Sequence, residues 1–207
     1  MLRVEALKQR LSCLDAEVLD ALYGLGRFDP LAVPPEQLTT LLCLAERLED
    51  LDRRHLRAPL LPAELAALVE CHEDPSARWA WVGAATRLGM APLVLDASAL
   101  RPDPVAAGAL AGMNAHALAL AAPAGAEGRE LVEDLAAGVS DYLRTSFEGR
   151  ALPVVALEPA TLALGDALFL REALGELEGK RLVLAAAEGE RGAAAAEARA
   201  ALFARCG

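Results

Sequence analysis

Ala117-Leu118-Ala119-Leu120, then an amphipathic stretch over 128–146, then Val154-Val155-Ala156-Leu157: this alternation sets the expected architecture. Two short, wholly apolar runs flank a segment whose apolar residues recur at helical spacing. A run with no polar face suits a strand covered on both sides, which is the situation of a parallel sheet between helices. The same rhythm extends outward. Ala67-Leu68-Val69, Leu93-Val94-Leu95 and Leu182-Val183-Leu184 are further apolar runs, and 76–88, 103–113 and 160–177 are further helical patterns. The expected fold is α/β, a three-layer α/β/α arrangement on a mainly parallel sheet. One run is ambiguous, because Pro62-Ala63-Glu64-Leu65-Ala66-Ala67-Leu68-Val69-Glu70 reads as helix on propensity alone.

Upstream, Leu7, Leu11, Leu14, Val18 and Leu22 predict a helix over 2–24, closed by Gly24 and Gly26. An extended linker with Pro30, Pro34 and Pro35 follows, then a helix over 36–50 with Leu38, Leu41, Leu42, Ala45 and Leu48 on one face. The Ala-rich tail, 188–207, predicts a further helix.

Composition narrows the function. The 207 residues hold 20 basic and 30 acidic side chains, a net charge of −10. Such a chain lacks the basic face that displaces counterions from nucleic acid or docks on anionic lipid. No apolar run reaches the roughly 18 residues a membrane crossing needs, and the N-terminal Met1-Leu2-Arg3-Val4-Glu5 does not open a signal peptide. The expected location is the cytoplasm. Cys13, Cys43, Cys71 and Cys206 form no CxxC pair, and His72 beside Cys71 and Glu73 does not converge with them on one ion, so no metal site or cofactor is expected.

Four strings, in order, resemble the aspartate/ornithine carbamoyltransferase family. They are Pro34-Pro35-Glu36-Gln37-Leu38 with its helix; Asp74-Pro75-Ser76-Ala77-Arg78 followed by Arg87-Leu88-Gly89; Ala117-Leu118-Ala119-Leu120-Ala121-Ala122-Pro123; and Glu158-Pro159-Ala160-Thr161 with Asp166, Phe169-Leu170-Arg171-Glu172 and Leu177-Glu178-Gly179-Lys180. The last is the most specific. The resemblance implies a carbamoyl-phosphate domain with its linker helix over 29–178 and a remnant strand and helix of a second domain over 179–207; the helical extension expected over 1–28 has no counterpart in it. The resemblance also implies trimers formed through the carbamoyl-phosphate domain. It does not separate aspartate-type from ornithine-type ancestry.

Carbamoyl phosphate needs fixed positive charge, helix-terminal amides and a group that polarises its carbonyl. The family's S-T-R-T-R supplies two arginines. Aligned back from Arg87-Leu88-Gly89 these fall on Ser76 and Arg78; aligned on Pro75-Ser76, the second falls on Ala80. The family's arginine and histidine before proline fall on Ala121 and Ala122. The His of H-P-T-Q falls on Glu158 or Pro159, and its Gln on Thr161 or Leu162. The expected mobile loop, 98–104, has Arg101 but no lysine. Each lost charge-assisted contact removes about 1.5–3 kcal/mol, and several are lost together.

The expectation is therefore a non-catalytic relative with a structural or assembly role in a pyrimidine-biosynthesis enzyme complex. Its expected partners are an active aspartate carbamoyltransferase and/or dihydroorotase, with a homo-trimer as a further possibility. Two alternatives stand beside it: a regulatory protein retaining a carbamoyl-phosphate or anion site at Ser76 and Arg78, and a degenerate transferase completed by a partner. Arg78 itself reads equally as a helix-face arginine without a ligand. Trp79 and Trp81 read as fillers of a vacated phosphate pocket or as ordinary packing.

Overall fold

The computed structural model describes residues 27–55, 59–71, 74–97, 103–122, 126–146, 152–175, 177–185 and 190–206. The helix expected over 2–24, His72 and Arg101 lie outside these residues. In chain order the elements are β1 (Arg27–Phe28), α1 (Pro35–Arg53), β2 (Leu65–Glu70), α2 (Pro75–Leu88), β3 (Ala91–Asp96), α3 (Pro104–Asn114), β4 (Ala117–Ala121), α4 (Ala126–Ser146), β5 (Val154–Ala156), α5 (Pro159–Leu174) and α6 (Glu190–Cys206). The sheet order is β1-β5-β4-β2-β3 and every pairing is parallel. The α/β expectation holds, with helices on both faces.

Side-chain alternation along the strands sorts the core into layers. Ala67, Val69, Leu118, Leu120, Val154 and Ala156 join Ala107 of α3 and Val132, Leu135, Val139 and Leu143 of α4. On the other face Leu68, Ala119 and Ala121 meet Ala77 of α2, and Ala66 meets Ala85 and Met90. A third cluster binds α1, α5 and α6 through Leu38, Leu42, Ala163, Ala167, Leu202 and Phe203. The ambiguous segment 62–70 becomes β2, not helix. Paired on both sides and buried from Ala66 to Glu70, it shows tertiary burial overriding local propensity.

Local signals set the helix ends. Pro35, Pro75, Pro104 and Pro159 each occupy the first turn, where a missing N–H costs nothing. α2 stops at Gly89, whose φ of +86° is a left-handed closure. α3 and α4 touch backbone to backbone at Gly108 and Gly138. A Cβ on Gly138 would lie 2.0 Å from the Val105 carbonyl oxygen.

One expected strand is absent. Residues 182–184 form no strand, and Val183 is 91% exposed. An apolar run becomes a strand only where a neighbour accepts its hydrogen bonds. Here Leu182 instead packs against the α1–α5–α6 cluster. The tail helix forms as expected and docks on α1 and α5.

Candidate functional site at the carboxyl ends of β2 and β4

The sheet order places a topological switch between β2 and β4. From β2 the chain steps to β3 on one side, then returns across β2 to β4 on the other. The connections leaving β2 and β4 lead to helices on opposite faces of the sheet. The crevice outside the carboxyl ends of such strands is where open α/β sheets bind ligands.

Ser76 and Arg78 both lie there, at the start of α2. The Asp74 carboxylate caps the helix: its Oδ1 accepts the Ser76 and Ala77 N–H groups, each at 3.0 Å. The Arg78 guanidinium turns to Glu70, the last residue of β2. Its Nε–H donates to Oε1 at 2.8 Å and a terminal nitrogen donates to Oε2. The Glu70 side chain is 8% exposed, whereas that of Arg78 is 51% exposed. Helix-terminal amides and a guanidinium are the donors an anion would use. At this site two carboxylates of the chain itself accept hydrogen bonds from them.

Of the described positions aligned with the family, Ala121, Ala122 and Glu158 carry no phosphate donor. Ala121 is buried and Ala122 half-buried at the end of β4. The Cys71 N–H donates to the Ala121 carbonyl at 3.0 Å and ties the two strand ends together. Glu158 precedes α5 and makes no side-chain cap. Among the described residues no group of three His, Cys, Asp or Glu side chains is placed to hold a metal ion. No described helix is long and apolar enough to cross a membrane.

The tryptophans do not fill this crevice. Trp81 packs on Leu68, Ala85 and Met90 and lines an apolar groove of about 530 Å³ at the opposite, amino end of β2 and β4. Trp79 is 76% exposed. His116 is structural: its Nδ1 accepts the Leu65 N–H at 3.0 Å, and its Nε2 lies 2.8 Å from Glu64.

The residues missed from sequence are Glu70 and Asp74. Asp74-Pro75 ahead of a helical pattern is a readable N-cap signal. Glu70 gives only the hint of an acid closing an apolar run.

A doubly wound domain with a crevice of this kind is the class that the fold defines. As a sequence, the chain matches no family model and no curated protein. As a structure, it is similar to carbamoyltransferases. An ornithine carbamoyltransferase from Pyrococcus furiosus matches with a TM-score of 0.61 at 19% identity, over 75% of this chain and 48% of that one. Aspartate transcarbamoylase from Trypanosoma cruzi, in complex with carbamoyl phosphate and aspartate, matches with a TM-score of 0.69 at 16% identity, over 89% and 55%. The same enzyme with N-(phosphonacetyl)-L-aspartic acid gives 0.69 and 16%, over 89% and 57%. This chain thus has the carbamoyltransferase-type fold and spans about half the length of these structures.

Proposed function

We propose that this chain is a non-catalytic, aspartate-carbamoyltransferase-like subunit with an assembly role in a cytoplasmic pyrimidine-biosynthesis complex. Its partner is an active aspartate carbamoyltransferase, dihydroorotase or both. The observation that carries the reading is the pairing of Ser76 and Ala77 amides with Asp74, and of Arg78 with Glu70. An entering phosphate would have to displace a largely buried carboxylate from its guanidinium and meet the Asp74 charge at the helix end. Transfer of a carbamoyl group depends on positioning and electrostatic stabilisation, and the aligned positions Ala121, Ala122 and Glu158 provide neither.

The test is a transferase assay on the chain alone, with aspartate and with ornithine, and then on mixtures with an active aspartate carbamoyltransferase and with a dihydroorotase, followed by native mass measurement. The expected result is no product from the chain alone and a mixed complex of higher mass. Product above background from the chain alone overturns the non-catalytic reading. Product that rises only in the mixture, and falls on Arg78→Ala, favours a transferase completed by its partner. Absence of any complex with either enzyme overturns the assembly role.

A further inference from the structure

The groove of about 530 Å³ beside Trp81 lies at the end of the sheet opposite the crevice. Small side chains create it. Ala66 of β2 and Ala117 of β4 stand side by side in register, and Ala84 and Ala85 of α2 line the same hollow. Where two adjacent strands and the covering helix all present alanine, the layers cannot fill the space between them. Trp81 packs over Ala85 and Met90 and walls the hollow. Glu64, just before β2, and His116, just before β4, add the polar part of the lining.

Hydrogen bonding fixes the charge of that lining. His116 Nδ1 accepts the Leu65 N–H at 3.0 Å, so this nitrogen carries no proton. The ring is therefore neutral, its proton is on Nε2, and that N–H donates to Glu64 Oε2 at 2.8 Å. The Glu64 side chain is 36% exposed, so the carboxylate still reaches solvent. No lysine or arginine lines the groove among the described residues. The net result is an apolar hollow with one negative charge. A neutral apolar molecule makes no use of that charge. An anion is repelled by it and by the chain's net charge of −10. An ammonium group on an apolar body complements both features. The volume falls in the range of about 300–1,000 Å³ usual for small-molecule sites.

We propose that this groove binds a small apolar amine, its hydrocarbon body against Trp81 and the alanines and its ammonium on the Glu64 carboxylate. The inference goes beyond the assembly role proposed above and does not rest on it, because the groove shares no residue with the site at Ser76 and Arg78.

Phenethylamine is the probe, with phenethyl alcohol and hydrocinnamate as neutral and anionic analogues of similar shape. Trp79 is exposed, and Trp79→Phe leaves Trp81 as the only tryptophan. Fluorescence of that variant of the full chain then reads the groove alone. The amine is expected to shift the emission saturably with a Kd of about 0.1–1 mM, as suits a ligand of this size. The alcohol is expected to bind at least about fivefold more weakly, and hydrocinnamate not at all. In the wild-type chain the Trp81 indole N–H, which is buried with no hydrogen-bond partner among the described residues, should shift in the nuclear magnetic resonance spectrum with the same Kd. Glu64→Gln keeps an acceptor for His116 and should bring the amine to the level of the alcohol. Ala84→Phe, at an exposed position, fills the groove and should weaken the amine at least about tenfold with the circular dichroism unchanged. Equal binding of amine and alcohol, an amine preference that survives Glu64→Gln, or binding untouched by Ala84→Phe overturns the proposal. So does the absence of a response to all three probes, the result expected where another stretch of the chain or a second protein fills the groove.

Discussion

Gly138→Ala tests the packing that holds α3 and α4 on the sheet. Two opposing effects set its outcome. In an exposed helix the change is favourable by about 0.8–1 kcal/mol, because alanine gives up less backbone freedom than glycine. At Gly138 the new Cβ would stand 2.0 Å from the Val105 carbonyl oxygen and 3.0 Å from the Val105 Cα. A carbon–oxygen contact needs about 3.3 Å, so the helices must separate by roughly 1 Å. Separation pulls Ala107 away from Val132, Leu135 and Val139, which share its core. Overpacking of this kind costs about 1–3 kcal/mol, and the loosened core adds to it. The expected net loss is about 2 kcal/mol, a fall in Tm of roughly 4–8 °C for a chain of this size. Gly165 of α5 is the matched control, since a Cβ there meets nothing within 4 Å. Gly165→Ala should raise stability by about 0.5–1 kcal/mol. Urea unfolding followed by far-ultraviolet circular dichroism measures both. Gly138→Ala at wild-type stability, or a shift of the same sign in both variants, would refute the reasoning.

Other outcomes follow from single contacts. Arg78→Ala leaves Glu70 largely buried without its bidentate partner and should lower stability by about 1–3 kcal/mol in the same urea assay, with Arg78→Lys recovering only part of the loss. Asp74→Ala removes the cap on Ser76 and Ala77 and should cost about 1 kcal/mol; Asp74→Asn should retain most of it. Burial pushes the Cys206 thiol up, and the positive charges of Arg171 and Arg205 draw it only partly back. Iodoacetamide at pH 8, with sites mapped by mass, should therefore modify Cys206 more slowly in the native chain than in urea. Because the folded-state value lies above the unfolded one, the stability this thiol contributes is present below the ordinary thiol range. It is lost as pH rises through the raised value.

The sequence pattern and the fold agree on most strands: β2, β4 and β5, largely buried, and also β3, which is exposed on both faces. The runs at 67–69, 93–95, 117–120 and 154–157 lie in or overlap strands, and the helices between them fall within a few residues of their expected ends. Propensity misleads at 62–70, because alanine and leucine favour helix until β3 and β4 enclose them. At 182–184 the reverse occurs: the run has strand composition and, among the described residues, no strand beside it. The site was legible in part. Ser76 and Arg78 do come together at one helix start, and Asp74 could have been read from its place before Pro75. Glu70 could not, because its meeting with Arg78 depends on where β2 ends relative to the first turns of α2. That geometry exists only once the strand is paired.

Calorimetric titration of the wild-type chain with carbamoyl phosphate tests the central claim most directly. The carboxylates of Glu70 and Asp74 already engage the donors at the start of α2, so no saturable heat is expected at millimolar ligand. A stoichiometric isotherm that disappears in Arg78→Ala would contradict the account and restore a working anion site to this crevice.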